Sequence, residues 1–171
     1  VITANTFGAN RHKLRGAAEA GEVVPAAIEL ARRAGAEKVA LDIGPTGALL
    51  KPLGAMSFHE AYDIFREVVS AGRDADIILI ETMSDLLETK AALLAAKENS
   101  NLPVFVTMTF GEDGRTFLGT DPKTAAIALS GLGADAVGIN CSLGPRELMP
   151  LVETMVRWSS VPVIVQHGLH K

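Results

Sequence analysis

Short runs of apolar and β-branched residues recur along the chain, and amphipathic stretches separate them. Each run is almost continuously hydrophobic, which is typical of parallel strands that helices cover on both faces. The pattern therefore predicts strands at Val1–Ala4, Val39–Ile43, Ile77–Ile80, Val104–Met108, Ala136–Ile139 and Val161–Val165.

The stretches between these runs carry helix start signals. Ser57 followed by Glu60 forms a capping-box pattern, which satisfies backbone N–H groups in the first helical turn. Successive strands lie about 25–40 residues apart, the length of a βαβ unit. Further start signals, a capping residue or a proline at the first helical position, occur at Ser84, Asp121–Pro122 and Pro145.

Repeated βα units favour two α/β architectures, an open doubly wound sheet or a closed (β/α)8 barrel. The sequence contains about six units, two fewer than a closed barrel has. No linker or shift in composition divides residues 1–171, so we expect a single domain. Because the chain begins inside a predicted strand and without a methionine, we also expect an interior piece of a longer protein.

Composition and charge narrow the classes of function. Hydrophobic residues make up 48% of the 171 residues, which is ample for a core. A net charge of −4 argues against a nucleic-acid groove, and no apolar stretch approaches the roughly 20 residues of a membrane span. The single cysteine, Cys141, excludes an intrachain disulfide. We therefore expect a cytoplasmic globular domain that binds neither nucleic acid nor membrane.

Polar residues stand where each apolar run stops. In both architectures the ligand site lies beyond the carboxyl ends of the strands. No lysine or arginine ends a strand, which argues against a Schiff base and against a phosphate site. Carboxylates suit an ammonium and loop N–H groups suit a carboxylate, so a small zwitterion is the favoured substrate. The candidates are Asn5, Thr6, Asp42, Glu81, Thr82, Thr107, Thr109, Asn140, Cys141, Gln166 and His167.

Several candidates also have a purely structural interpretation. Asp42 alternatively hydrogen-bonds the turn at residues 44–47, and Asn140 alternatively caps or fixes backbone. A lone cysteine such as Cys141 is commonly a small buried apolar residue. Glu81 follows a continuous apolar run, where a carboxylate requires a partner, so a functional role is favoured for it.

Six segments at the strand ends occur in the order in which a known family has them. They are 3–10 (TANTFGAN), 41–47 (LDIGPTG), 80–85 (IETMSD), 107–110 (TMTF), 119–122 (GTDP) and 138–145 (GINCSLGP). With these segments the chain resembles the homocysteine S-methyltransferase family. Within this family, the DIGPTG segment resembles that of the cobalamin-dependent methionine synthases. The part of those proteins that the chain resembles is the homocysteine-binding domain.

The resemblance implies a (β/α)8 TIM barrel of which the chain holds strands two to seven. It implies methyl transfer from methylcobalamin to homocysteine sulfur, giving methionine, with 5-methyltetrahydrofolate recharging the cobalamin. Three cysteines of the family hold a zinc ion that keeps the substrate thiol ionised, and other modules of the full protein bind cobalamin and folate. Carried over to this sequence, Cys141 is a zinc ligand and Glu81 lies near the substrate ammonium. Asp42, Asn5 and Asn140 are the other substrate-binding residues.

The sequence departs from the family at the metal site. The family's other two zinc cysteines follow strand eight, which this chain does not contain, and His167 stands where the family has an asparagine-containing turn. Because catalytic zinc takes three protein ligands, neither Cys141 alone nor Cys141 with His167 is enough. We expect the isolated chain to bind zinc weakly and to lack activity.

A non-catalytic barrel remnant or interaction module without metal stays open as the alternative. The missing cysteine pair and the altered residues after Gln166 favour it. In either case an incomplete barrel leaves strand edges unpaired, so we expect the isolated chain to oligomerise. The natural methyl donor is not fixed by this part of the sequence.

Overall fold

The computed structural model describes residues 1–141 and 143–166, in which strands alternate with helices. The strands are β1 (Ile2–Thr3), β2 (Val39–Ile43), β3 (Ile77–Met83), β4 (Val104–Met108), β5 (Ala136–Asn140) and β6 (Val163–Gln166). The helices are α1 (Arg11–Leu14), α2 (Ala20–Arg33), α3 (Phe58–Ala71), α4 (Leu86–Asn99), α5 (Pro122–Gly131) and α6 (Pro145–Trp158). Within the described ranges no helix has the length and apolarity that crossing a membrane requires.

All six strands pair in parallel and in the consecutive order β1-β2-β3-β4-β5-β6. A doubly wound sheet reverses its strand order at a switch point, whereas a (β/α)8 barrel does not. The uninterrupted order therefore decides between the two architectures. The fold is a partial (β/α)8 barrel, as predicted.

The strand β3 is longer than its apolar run because it contains a bulge. Ile80 pairs with Val106, but the next pair joins Met83 to Met108, so β3 has one residue more than β4 over this interval. Such an insertion bends the strand and changes the direction of the side chains next to it. The predicted strand at Ile77–Ile80 ends where this bulge begins.

The capping residues place most helix starts where the sequence predicts them. Ser57 and Glu60 form a reciprocal capping box at the start of α3. Asp121 caps α5, whose first residue is Pro122, and Pro145 is the first residue of α6. These starts agree with the prediction because each depends on a local side-chain hydrogen bond or on the fixed φ of proline.

The start of α4 lies one residue beyond the signal at Ser84. Asp85 is the N-cap, and its Oδ1 accepts a hydrogen bond of 2.8 Å from the N–H of Leu87. A carboxylate at this position also interacts favourably with the positive end of the helix dipole. Aspartate therefore replaces serine as the capping residue.

The sheet separates an apolar layer from a partly polar one. Alternate strand residues pack against the helices and form the hydrophobic core, among them Leu41, Ile80 and Val106. The residues between them lie on the opposite, concave face because side chains alternate along a strand. The concave face is apolar near its middle, where a space of about 440 Å³ lies beside Ala40, Leu79 and Phe105. Toward the carboxyl ends of the strands it becomes polar.

Candidate functional site

Four neighbouring strands each place a polar residue at the carboxyl end of the concave face. These residues are Asp42 on β2, Glu81 on β3, Thr107 on β4 and Asn140 on β5. The register supports their proximity, because Asp42 pairs with Leu79, two residues before Glu81, and Thr107 pairs with Gly138, two residues before Asn140. The fold therefore brings together the strand-end residues that the sequence predicts to be neighbours.

The backbone of Asp42 is fixed by the loop that follows β1. Thr6 Oγ1 donates a hydrogen bond of 2.8 Å to the carbonyl of Asp42 and accepts one of 3.0 Å from its N–H. Thr6 is buried, so this pair of hydrogen bonds is shielded from water. These two hydrogen bonds fix the backbone of Asp42 at the end of β2, and its carboxyl group takes part in neither.

The carboxyl groups of Asp42 and Glu81 form a hydrogen-bonded pair. Burial, the neighbouring charge of Glu81 and the hydrogen bond to Glu81 together raise the pKa of Asp42 to about 7. Burial also raises the pKa of Glu81, while the hydrogen bond from Asp42 lowers it. The hydrogen bond thus favours the protonated form of Asp42 and the ionised form of Glu81.

Few protein groups stabilise a negative charge on Asp42. The residue is 6% exposed, and no donor among the described residues gives a hydrogen bond to its buried Oδ1. The ammonium of Lys13 is the cation that lowers the pKa of Asp42, and this effect is the smallest of its causes. The hydroxyl of Thr107 is also buried without a hydrogen-bond partner in the described part of the chain. Two polar groups at this end of the sheet therefore have unused hydrogen-bonding capacity.

Asn140 connects β5 with the bulge of β3. Its Oδ1 accepts a hydrogen bond of 3.0 Å from the N–H of Thr82, and its Nδ2 donates one of 2.7 Å to Thr82 Oγ1. Nδ2 also lies 3.4 Å from the sulfur of Cys141, and Thr109 Oγ1 donates to the carbonyl of Asn140 at 3.1 Å. Asn140 therefore fixes the backbone of Thr82, as its structural interpretation predicts, and its amide also contacts the thiol.

Thr82 and Cys141 both have a left-handed backbone conformation. Their φ angles are 59° and 60°, a region that residues other than glycine rarely occupy. The sulfur of Cys141 lies 3.9 Å from Thr82 Oγ1, and the residue is partly exposed. Strained conformations of this kind cluster at functional sites, where the surrounding structure holds them in place. Asn140 supplies the hydrogen bonds that hold Thr82.

The surroundings of the thiol are polar. Cys141 contacts the Asn140 amide and the Thr82 hydroxyl, and Thr82 directly follows Glu81 in the chain. The alternative interpretation of Cys141 as a buried apolar residue is therefore wrong. Asp42 likewise makes no hydrogen bond to the 44–47 turn within the described residues, so its structural interpretation is wrong as well.

Two further candidates are Asn5 and His167. Asn5 follows β1 and is exposed. His167 lies outside the described residues. The substrate-binding roles of Asn5, Asp42, Glu81 and Asn140 and the ligand role of Cys141 stay predictions.

Two charged residues near the site are missed by reading strand ends alone. Glu88 lies on α4 and is 3% exposed, and the half-buried Lys13 lies on the short helix α1. The interaction of Lys13 with both Glu88 and Asp42 follows from the fold and not from sequence spacing. The only sequence signal is that Glu88 follows Asp85 by three residues in a helix rich in alanine and leucine.

The described residues do not by themselves fit a zinc ion. Among residues 1–141 and 143–166, no three side chains of His, Cys, Asp or Glu form a group that could hold a metal. Cys141 offers one partly exposed thiol, and a catalytic zinc site takes three protein ligands. Any metal bound here would need ligands from outside the described set.

Comparison with solved structures supports the fold. A homocysteine methyltransferase from Escherichia coli, MmuM, superposes with a TM-score of 0.74 over 87% of this chain and 60% of that one, at 21% identity. A type I 3-dehydroquinate dehydratase from Clostridium difficile superposes with a TM-score of 0.53, covering 86% of this chain and 58% of that one, at 12% identity. At these identities the likeness concerns the fold alone.

Comparison of sequences identifies the family. Methionine synthases from Mycobacterium leprae and Mycobacterium tuberculosis are each 30% identical to the chain over 96% of its length. The chain spans about 15% of the length of these relatives. The family model for homocysteine S-methyltransferase matches residues 1–169. The chain therefore belongs to the homocysteine S-methyltransferase family.

Proposed function

We propose that the protein transfers a methyl group to the sulfur of homocysteine, giving methionine, and that residues 1–171 form part of its homocysteine-binding barrel. The observation that carries this proposal is the placement of one thiol and two carboxyl groups at the same end of the sheet. Asp42 and Glu81 lie at the ends of the neighbouring strands β2 and β3, and Cys141 follows β5, with β4 between. The sulfur of Cys141 is nevertheless 3.9 Å from Oγ1 of Thr82, the residue after Glu81. Homocysteine has a sulfur at one end and an ammonium at the other. The Cys141 thiol suits the sulfur end, and the Asp42–Glu81 carboxyl pair suits the ammonium.

The Asp42–Glu81 pair binds the substrate ammonium. In the free protein the two carboxyl groups share a proton, because burial disfavours their charged forms and because the charge of Glu81 disfavours a second charge on Asp42. An ammonium between them supplies the positive charge that the site lacks, so Asp42 releases its proton to solvent and both groups become ionised. The unused Oδ1 of Asp42 then accepts a hydrogen bond from the ligand. Binding of the amino acid is thus coupled to loss of about one proton.

Cys141 lies at the sulfur end of the site. In this proposal it is one of the zinc ligands, and the complete protein supplies the others. A bound zinc ion would lower the pKa of the homocysteine thiol, so that a thiolate exists at neutral pH. The Asn140 amide lies 3.4 Å from the Cys141 sulfur and orients it. In the same proposal the exposed Asn5 also contacts the substrate.

The methyl donor and its carrier belong to the rest of the protein. We propose methylcobalamin as the donor and 5-methyltetrahydrofolate as the source that recharges it, both bound by modules outside this chain. The resemblance to methionine synthases supports this proposal, and the share of about 15% of their length leaves room for such modules. The new bond joins the substrate sulfur to the methyl carbon, and the donor keeps the electron pair of the bond that breaks. A cytoplasmic location is part of the same proposal.

The test is the substitution Cys141→Ser in the full-length protein. We expect a loss of bound zinc, measured by metal analysis, and a fall in homocysteine methylation of at least about 100-fold, because serine does not replace a thiolate ligand. Ser130→Ala is the matched control, since Ser130 lies on α5 and contacts Ser159 instead of the site. A Cys141→Ser protein with full zinc and full activity contradicts the proposal. A wild-type protein that binds neither zinc nor homocysteine favours a non-catalytic interaction module.

A further inference from the structure

A buried carboxylate on α4 has no role in the proposed binding of the substrate. Glu88 is 3% exposed, and its Oε1 accepts hydrogen bonds of 2.7 Å from the N–H of Thr46 and 2.5 Å from Thr46 Oγ1. Thr46 is fully buried, and its Oγ1 also accepts a hydrogen bond of 3.3 Å from the N–H of Ala48. Burying a carboxylate is unfavourable unless strong hydrogen bonds compensate. We call this pair the Thr46–Glu88 latch.

The latch joins the segments that follow the two carboxyl-bearing strands. Thr46 lies four residues after Asp42, and Glu88 lies seven residues after Glu81. The paired residues of β2 and β3 end at Ile43 and Ile80. Beyond that point the Thr46–Glu88 latch joins the loop after β2 to the helix after β3 by side-chain hydrogen bonds.

Lys13 lies beside both the latch and the carboxyl pair. Its ammonium lies 4.7 Å from the centre of the Phe7 ring, and its Cε lies so close to Gly47 that an added Cβ would be 3.4 Å away. Its charge favours the ionised forms of Glu88 and Asp42. The other titratable group that acts on Glu88 is Asp85, at the start of α4. The buried latch therefore holds the 44–47 loop against Lys13, next to Asp42.

We propose that the Thr46–Glu88 latch is a positioning device that keeps Asp42 beside Glu81 and so sets the affinity of the site for the ammonium of an amino acid. The inference rests on the proposed function, because it assigns the ammonium to this carboxyl pair. Glu88 acts through Thr46 and does not touch the substrate. If the carboxyl groups of Asp42 and Glu81 move apart, one ammonium can no longer contact both of them, and the affinity falls.

The probe is L-methionine, because its thioether does not ionise and its ammonium is that of homocysteine. Binding to the full-length protein is measured by calorimetry between pH 5.5 and pH 8.5, and hydrogen exchange of the 44–50 segment reports the state of the loop. In the wild type the Kd falls as the pH rises through about 7, because Asp42 loses the proton that competes with the ligand. The latch variants are Glu88→Ala, which removes the acceptor, and Thr46→Val, which removes only the hydroxyl.

We expect Glu88→Ala to raise the Kd at least about tenfold, the effect of losing hydrogen bonds to a charged group, and to move the pH midpoint downward as Asp42 leaves Glu81. Thr46→Val shifts both in the same direction by a smaller amount. The conservative variants Glu88→Gln and Thr46→Ser keep an acceptor and a hydroxyl, so they restore the Kd to within about threefold. Glu98→Ala, an exposed change on the same helix, leaves both quantities unchanged.

The proposal for the latch is overturned if folded Glu88→Ala and Thr46→Val proteins have the wild-type Kd for L-methionine and the wild-type midpoint of its pH dependence. The proposed function is unaffected by that result. A Glu88→Gln protein as weak as Glu88→Ala also overturns it, because charge and not position would then be the cause. If the wild type binds neither L-methionine nor L-homocysteine, the proposed function itself fails, and the inference fails with it. If Glu88→Ala does not fold, the isosteric Thr46→Val decides between these outcomes.

Discussion

At the scale of single residues, the unusual feature of this site is a carboxyl group that keeps its proton near neutral pH. Asp42 has a pKa of about 7 because it is buried and because Glu81 lies beside it. The pKa of an aspartate in an unfolded chain is near 3.8. Between these two values the folded protein binds more protons than the unfolded chain at this position. Folding is therefore linked to protonation over this range.

The first prediction concerns the substitution Asp42→Asn and stability. The contribution of Asp42 to the free energy of unfolding is present below about pH 4 and is lost as the pH rises toward about 7, because the unfolded chain then gains more by ionising. Asparagine does not ionise and removes this loss. We expect the variant to unfold at nearly the wild-type denaturant concentration at pH 4.5. At pH 8 it gains about 2 kcal/mol, a value reduced for partial solvation.

Urea denaturation at the two pH values measures this difference. Asp74→Asn is the control, because Asp74 is exposed and its side chain is remote from Glu81. An Asp42→Asn protein that has the same stability relative to wild type at both pH values would contradict the assignment of the shared proton.

Individual site residues differ in how far the sequence reveals them. Asp42, Glu81 and Asn140 end apolar runs, and parallel strands bring such ends together, so spacing alone predicts their proximity. Glu88 and Lys13 lie on helices, where a charged residue is ordinarily on the solvated face. Their positions depend on how α1 and α4 pack onto the sheet, which local pattern does not specify.

At the scale of elements, β5 and β6 approach each other closely at one glycine. An ideal Cβ on Gly138 would lie 2.0 Å from the carbonyl oxygen of Ile164, with which it is paired across the two strands. A backbone atom cannot move aside as the end of a flexible side chain can. Glycine at this position is therefore required by the distance between the strands.

The second prediction is the loss of stability when a side chain is introduced at Gly138. We expect Gly138→Ala to destabilise the protein by about 3 kcal/mol or more, because β6 must move away from β5 and lose pairing hydrogen bonds. Gly131→Ala is the matched control, since Gly131 ends α5 and an added Cβ meets no atom within 4 Å. The control should be neutral or more stable by up to about 1 kcal/mol. Equal thermal unfolding temperatures for the two variants would disprove the close approach.

The sequence predicts the positions of the strands and helices better than it predicts local irregularities within them. Continuous apolar runs and local capping signals locate the strands and most helix starts, since both depend on neighbouring residues. The bulge in β3 and the left-handed Thr82 are different, because nothing near Thr82 in the sequence favours φ of 59°. The hydrogen bonds that hold it come from Asn140, which lies 58 residues further along the chain.

Across the molecule as a whole, the described strands form a curved sheet whose first and last strands are not paired with each other. Among the described residues β1 pairs only with β2, and β6 pairs only with β5. Each terminal strand therefore presents one edge of unpaired backbone N–H and C=O groups. Exposed edges of this kind pair with other chains unless charge or covering structure prevents it. The consecutive strand order that identifies the barrel is also what makes both edges available.

The third prediction is that the 171-residue chain alone associates through these edges. Val165 lies on β6 and is 44% exposed, so Val165→Lys introduces a charge at the edge without filling the core. If two chains paired through β6, the lysine at position 165 would be buried between them, which is unfavourable. Natural edge strands carry lysine for the same reason. We expect the concentration at which half of the chain is associated, measured by light scattering, to rise at least about tenfold, equivalent to about 1.4 kcal/mol.

Val156→Lys separates the effect of the edge from that of net charge. Val156 is 57% exposed on α6, so the substitution adds the same charge on a helix surface. If association follows charge alone, the two variants associate to the same extent. If it follows strand pairing, only Val165→Lys reduces it, since β6 is where backbone groups are free to bond. A wild-type chain that stays monomeric over the same concentrations would show instead that the edges are covered.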